Sequence, residues 1–319
     1  MNKRFVSTGR RGAARVPALA LSLVFSLALA VALGLAACGG GGGGTNPNVA
    51  AVTSSSAGVP MYGQPLLITL NGRNLDKPVS VSAAGCQGLA LSSTAPHIST
   101  PATAYYQCTP LAVATLSFTA VRESDSVTLA DLPFTVPQPQ VSLTVSNGAG
   151  VAGELLLTLD PAKTPLTVGN FLAYVRSGFF IDTVFHRHVP GFIIQGGGFA
   201  QPLVSGGVQP TAKATNAPIT LEDNAGLLNQ RGTIAMARTN AFNSATSQFF
   251  FNLADNTNLD RTATGRGYAV FGSIGAGVDV LTAMTAAPCA PWLDFFGAAD
   301  VGACLPSPNL VVTAAAQTR

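Results

Sequence analysis

After residue 48 the apolar residues of this chain come in short runs closed by Gly, Pro, Asn or Ser, a pattern that restricts the fold to one built mostly from strands. In the first half the runs are Leu66 to Leu70, Val79 to Val81, Leu111 to Phe118, Val127 to Leu129 and Phe134 to Val136, parted by turn residues such as Asn71-Gly72. Regular short strands with one internal cysteine pair predict a small β-sandwich over residues 49–136.

That segment resembles the immunoglobulin-like modules of surface proteins and carries no catalytic constellation. A spacer or a partner-binding surface is its expected use, and fold analogy does not choose between them. Pro137-Gln138-Pro139-Gln140 marks a joint, because this uncharged, proline-punctuated tetrapeptide cannot continue a central strand. A second domain is predicted over 141–319. Val141, Leu143 and Val145 alternate with polar residues, Asn147-Gly148 offers a turn, and Glu154 to Leu159 returns, which together predict a hairpin. Thr164 can cap a helix that has Pro165 at its first position. Val168, Phe171, Leu172 and Val175 would form its apolar face, and Gly178 would stop it. Phe185 to Gln195, Ile234 to Ala237, Gln248 to Asn252 and Tyr268 to Ile274 read as further strands. The fold class expected for this domain is mainly β, a closed antiparallel barrel with two helices.

The chain's formal charge of +3 does not indicate a nucleic-acid partner. Lys3, Arg4, Arg10, Arg11 and Arg15 crowd the first fifteen residues, and without them 12 basic side chains face 14 acidic ones. The basic start precedes an uncharged apolar run, Ala18 to Ala37, in the order of an export signal over residues 1–37. Its ending, Leu35-Ala36-Ala37-Cys38, resembles the lipobox of bacterial lipoproteins. The resemblance implies lipidation of Cys38 and anchoring to a membrane; an uncleaved transmembrane helix is the alternative. Six glycines, Gly39 to Gly44, follow and make residues 38–48 a flexible tether. Either way the rest of the chain is expected outside the cytoplasm, facing the periplasm. Gly39 beside the anchor leans toward the outer membrane. In such a compartment Cys86, Cys108, Cys289 and Cys304 are expected as the local pairs 86–108 and 289–304, although four cysteines allow three connectivities. Their separations of 22 and 15 residues fit no zinc-ligand pattern.

Phe185-His186-Arg187 followed by Pro190-Gly191-Phe192-Ile193-Ile194-Gln195-Gly196-Gly197-Gly198-Phe199 resembles the central signature of cyclophilins. Four further blocks recur in that family's order: Glu222-Asp223-Asn224, Arg231 to Thr239, Ala245 to Asn252, and Gly267 to Gly272. The loops are closest to the bacterial periplasmic branch, and the resemblance covers roughly residues 141–314. It implies peptidyl-prolyl cis-trans isomerase activity on proline-containing polypeptides of the envelope, without cofactor or metal, and a monomer. Arg187 would be the catalytic cation. Phe192, Ile193, Phe250 and Leu259 would line the proline pocket with Tyr268 at its rim, where other members have His. Gln195 would orient Arg187, while Gln248 and the backbone at Ala237 and Arg238 would hold the peptide before the proline.

The chemistry suits those parts. Rotation about a peptide C–N bond is slow because resonance gives it double-bond character, with a barrier of about 18–20 kcal/mol. Catalysis therefore needs an apolar seat for the ring, donors for the flanking carbonyls and a cation favouring the deconjugated nitrogen, and no nucleophile. A planar guanidinium serves this better than an ammonium. A non-catalytic groove for proline-containing segments is the alternative; it would need the pocket but not the cation. His188 and Asn258 depart from the family's usual residues, the second implying weak cyclosporin binding, and the Cys289–Cys304 loop with Trp292 is an addition. His186 and His188 alternate as metal ligands do, yet the local sequence offers them no third ligand. Gly196 to Gly198 is read as a barrel turn, since no Lys-Ser/Thr follows it. Alternation puts Phe249 and Phe251 on one face, Gln248 and Phe250 on the other.

Overall fold

The computed structural model describes residues 46–201, 211–291 and 302–319. The export signal, Cys38, the glycine run and Trp292 lie outside the described residues.

Residues 51–135 form seven strands: β1 (Ala51–Ala57), β2 (Leu66–Arg73), β3 (Val79–Ser82), β4 (Cys86–Leu91), β5 (Thr103–Pro110), β6 (Thr115–Arg122) and β7 (Val127–Thr135). They pair as two sheets, β1-β2-β5-β4 and β3-β6-β7. Period-2 alternation drives this. Leu66, Ile68 and Leu70 of β2 and Ala104, Tyr106 and Cys108 of β5 are buried, while the residues between them are more exposed. Tyr106 of one sheet meets Phe118 of the other at 5.4 Å between ring centroids. Cys86 and Cys108 are disulfide-bonded and join β4 to β5.

Three strand expectations need correction. Leu111 to Phe118 is not one strand: Pro110 ends β5, Leu111 and Val113 lie exposed in the bend, and β6 starts at Thr115. Phe134 to Val136 is not separate from Val127 to Leu129, because β7 runs through both. Its Pro133 is tolerated because β7 pairs only with β6. β1, β4 and β5 escaped the sequence reading. The first two are Ser- or Gly-containing and half exposed, whereas β5 carries a legible alternation.

The remaining strands are β8 (Gln140–Ser146), β9 (Ala152–Leu159), β10 (Arg187–Val189), β11 (Ile193–Gly196), β12 (Thr233–Met236), β13 (Phe249–Asn252), β14 (Val270–Ala276), β15 (Cys289–Pro291), β16 (Cys304–Pro306) and β17 (Val311–Gln317). They form one sheet ordered β15-β16-β10-β11-β13-β12-β14-β9-β8-β17. A bridge between Val184 and Val311 ties the start of β17 to the segment entering β10. The expected hairpin is β8–β9, with Val141, Leu143 and Val145 opposite Leu157, Leu155 and Gly153. Asn147 shapes its turn by accepting from the N–H groups of Ala149 and Val151, both at 2.9 Å.

Two helices pack on this sheet, α1 (Pro165–Arg176) and α2 (Val278–Ala286). Helix α1 buries Val168, Phe171, Leu172 and Val175 as its spacing predicts, and Gly178, at φ +69°, follows its end. The capping expectation fails: the Thr164 hydroxyl donates to the Asp160 carbonyl instead. Glu222, remote in sequence, caps α1. Its carboxylate accepts from Leu166 N (3.2 Å), Thr167 N (2.8 Å) and Thr167 Oγ1 (2.7 Å), and its charge faces the positive end of the helix. Glu222→Ala is expected to cost about 1–2 kcal/mol, the scale of a lost cap. A denaturant midpoint unchanged from the parent would show that the carboxylate does not stabilise α1.

The core of this region is aromatic. Phe249 is fully buried and touches Phe171, Phe180, Phe185 and Phe251 at ring-centroid distances of 5.5, 5.4, 5.9 and 5.6 Å. Contacts also reach the first seven strands: Arg176 donates to Gly63 O at 2.8 Å, and Gln317 to Tyr62 O at 3.1 Å.

Candidate active site

Strand register builds the site. The stretch 185–195, expected as one strand, is β10 and β11 with a reversal at Pro190-Gly191, where Gly191 takes φ +70° and Phe192 N donates to Val189 O at 3.0 Å. The reversal sets Arg187 opposite Gln195. Gln195 in turn faces Phe250, Phe250 faces Ala235, and Ala235 faces Val270. One row across five strands thus runs from a half-buried guanidinium through an amide to apolar residues. The next row, His188, Ile194, Phe251, Ile234 and Gly272, points to the opposite face.

On the first face Ile193, Ala235, Phe250 and Val270 form an apolar cluster separate from the main core. Phe192, Ala237, Leu259 and Tyr268 pack against it half-buried. The structure thus brings together all five expected lining residues, Phe192, Ile193, Phe250, Leu259 and Tyr268. Tyr268 meets Phe250 edge-on at 5.7 Å, and the Arg238 guanidinium lies 4.5 Å from the Tyr268 ring centre while donating to Gly267 O at 2.9 Å. Gln195, opposite Arg187, donates from Nε2 to Gln248 Oε1 at 2.8 Å, so the two glutamines fix each other. Gln248 O accepts from Ala237 N at 2.9 Å. Gly196 to Gly198 makes a close approach: a Cβ at Gly198 would fall 2.7 Å from the Gln248 side chain.

Sequence reasoning missed the groups that hold this surface. Asn229, Asn252 and Asn256 are buried and bonded in series: Asn252 Nδ2 donates to Asn229 Oδ1 (3.1 Å), Asn256 Nδ2 to Asn252 Oδ1 (2.7 Å) and to Phe192 O (2.9 Å), and Asn229 Nδ2 to Leu259 O (3.1 Å). Two lining residues are thereby pinned through their carbonyls. Asp223 holds the loop before Tyr268, accepting from Arg261 (2.8 Å), Arg266 (3.1 Å) and Gly267 N (2.9 Å). Burial acts to raise its carboxyl, but the Gly267 N–H and the two guanidinium groups outweigh that and leave it below the usual range. The signals in the sequence were the places of Asp223 and Asn252 in family blocks.

His186, just before β10, packs edge-on against Phe199 at 4.8 Å and is hydrogen-bonded to the Gln248 side chain. Burial pushes its pKa down to about 4, and the neighbouring Arg187 charge adds to the effect. The unfolded chain, with an ordinary value near 6.5, therefore binds a proton that the folded chain refuses between about pH 6.5 and 4. Stability is full above 6.5 and falls as the pH drops through that window, by about 3 kcal/mol if the whole shift is realised. Unfolding midpoints measured between pH 7.5 and 4.5 are expected to fall less steeply for His186→Gln. Parallel slopes for variant and parent would assign the acid loss elsewhere.

An apolar seat beside an arginine, rimmed by amides and backbone carbonyls and lacking a Ser, Cys or carboxylate at its centre among the described residues, suits a protein that holds a ring and a peptide without bonding to them. Residues 141–292 match the family of cyclophilin type peptidyl-prolyl cis-trans isomerase/CLD. Peptidyl-prolyl cis-trans isomerase A of Dickeya dadantii is 50% identical over 129 residues, 40% of this chain and 64% of that protein. Cyp18 of Streptomyces antibioticus, a peptidyl-prolyl cis-trans isomerase, is 48% identical over 136 residues, 42% of this chain and 78% of its own length. Peptidyl-prolyl cis-trans isomerase B of Escherichia coli is 46% identical over 132 residues, covering 40% and 76%. The chain belongs to the cyclophilin-type peptidyl-prolyl cis-trans isomerases. The match spans just under two thirds of the Dickeya protein and more than two thirds of the other two.

Proposed function

We propose that residues 141–319 catalyse cis-trans isomerisation of X-Pro bonds in exported proteins, with Arg187 as the catalytic cation. The observation carrying this reading is the register row that puts Arg187 and Gln195 beside Phe250, Ala235 and Val270. The proline ring sits on Phe192, Ile193, Phe250 and Leu259 under the edge of Tyr268. The guanidinium reaches the prolyl nitrogen as its lone pair leaves conjugation, an interaction stronger in the twisted transition state than in either planar isomer. Gln248 and the backbone at Ala237 and Arg238 hold the preceding carbonyls. No proton or covalent bond moves.

The Val184–Val311 bridge supports reading the ten-stranded sheet as a closed barrel, and the four-plus-three pairing of β1 to β7 supports an immunoglobulin-like sandwich that sets the catalyst away from its anchor. Lipidation at Cys38, a periplasm-facing location favouring the outer membrane, and a monomeric state complete the proposal; the two disulfides accord with an oxidising compartment. A catalytic amount of the chain is expected to accelerate the proline-limited phase of an exported protein's refolding, which takes tens of seconds unaided. An unchanged slow phase would remove the enzymatic reading and leave the proline-binding groove. Mass spectrometry of the mature N-terminus tests the anchor: unmodified Cys38 excludes it.

A further inference from the structure

His188 sits in β10 on the face opposite Arg187, almost wholly buried, with Cys304 of β16 as its Cα partner. Its Nδ1 lies 3.8 Å from Cys304 Sγ and 3.9 Å from Cys289 Sγ, the two sulfurs of the second disulfide. The sequence offered His188 no third ligand. The fold corrects that, because β15 and β16 fold back onto β10 and bring in both cysteines from more than a hundred residues away.

This arrangement serves the oxidised state poorly. Disulfide sulfurs carry no proton and are weak acceptors, so Nδ1 gains little from them. Among the described residues Nε2 has no partner, and His188 is one of the residues lining a cavity of about 590 Å³ that also borders Arg231, Ile274 and Leu281. A buried side chain so weakly bonded calls for a second state in which it is satisfied. The two Nδ1···Sγ distances are already close to ligand spacing. All three lie within 4.8 Å of one another. Tetrahedral bonds of about 2.3 Å to sulfur and about 2.0–2.1 Å to nitrogen set an N···S separation of roughly 3.6 Å. The imidazole needs to shift by a few tenths of an ångström, and only the sulfurs must part, to roughly 3.8 Å by the same bond lengths.

We propose that reduction of Cys289–Cys304 creates, with His188 Nδ1, a Cys2His site for one thiophilic d10 cation such as Zn2+, its fourth position facing the cavity. An external dithiol supplies two electrons and two protons to the S–S bond and becomes a disulfide itself. The two new thiols release their protons to solvent as the cation binds, so one divalent ion replaces two protons. Nδ1 donates its lone pair, and the Nε2 proton points to the cavity.

Cobalt(II) titration of the full chain in detergent, with and without prior phosphine reduction, tests this. The reduced chain is expected to bind one cobalt with a thiolate-to-metal charge-transfer band that Zn2+ displaces, and the oxidised chain to show no such band. His188→Gln is expected to weaken binding at least tenfold. The double variant Cys289→Ser/Cys304→Ser, which keeps Cys86 and Cys108, should lose the band. Near-ultraviolet circular dichroism follows the fold throughout. A reduced, folded chain without the band overturns the proposal. So does a band that survives in the double variant, an unchanged affinity in His188→Gln, or a disulfide that cannot be reduced without unfolding.

Discussion

Arg187→Ala is expected to lower kcat/KM for X-Pro isomerisation by about 100- to 1000-fold, the range measured when one transition-state donor is removed from a preorganised site. That corresponds to roughly 3–4 kcal/mol of barrier. Peptide affinity should change little, because the apolar cluster of Phe192, Ile193, Phe250 and Leu259, the proposed seat of the ring in both isomers, remains. Stability should also stay near the parent's, since Arg187 is half-buried on the pocket face and the main core lies on the other. Arg187→Lys retains the charge but loses the planar fork, and it too should lose most of the activity. Equal activity in Arg187→Lys and parent would show that charge alone suffices.

Phe249→Ala is expected to produce the largest loss of stability, about 3–5 kcal/mol. Phe249 is completely buried and is the ring on which Phe171, Phe180, Phe185 and Phe251 converge, so truncation leaves a cavity lined by rings anchored on α1, the loop after it, the segment entering β10 and β13 itself. Such a loss is a large share of the 5–15 kcal/mol typical of a folded domain. Its neighbour Phe250, on the pocket face, is expected to report chiefly in the isomerase assay. The pair gives opposite readouts from adjacent positions. Denaturant midpoints distinguish them; a Phe249→Ala loss below 1 kcal/mol would mean that the core collapses around the gap and is not packed as described.

Residues 248–252 show why part of this was legible in the sequence. A strand's period of two assigns Phe249 and Phe251 to one face and Phe250 to the other whatever lies around them; all three are buried, the first two in the main core and Phe250 in the separate apolar cluster. Helix α1 was legible for the same reason, from a period of 3.6. The family blocks supplied the proposed proline pocket, whose residues come from the turn before β11, β11, β13, the 3₁₀ turn Thr257–Leu259 and the loop before β14, elements that no local rule pairs. What escaped depends on contacts distant in sequence. Glu222 caps a helix 55 residues away, and a local rule assigned that task to Thr164. Asn252 was legible as the end of a strand, but its bonds to Asn229 and Asn256, residues with no local signal, appear only once the chain is folded. Pro190-Gly191 was a legible turn signal, overlooked because apolar residues flank it. The lone pairing of His188 with Cys304 is the same kind of long-range fact.

Magnetisation exchange between the cis and trans signals of a short Ala-Pro peptide, measured by NMR with the full chain and its Arg187→Ala variant side by side, tests the central claim most directly. The account predicts fast exchange with the parent and exchange near the uncatalysed rate with the folded variant. Absence of enhancement by a folded parent, or equal enhancement by the variant, would contradict it.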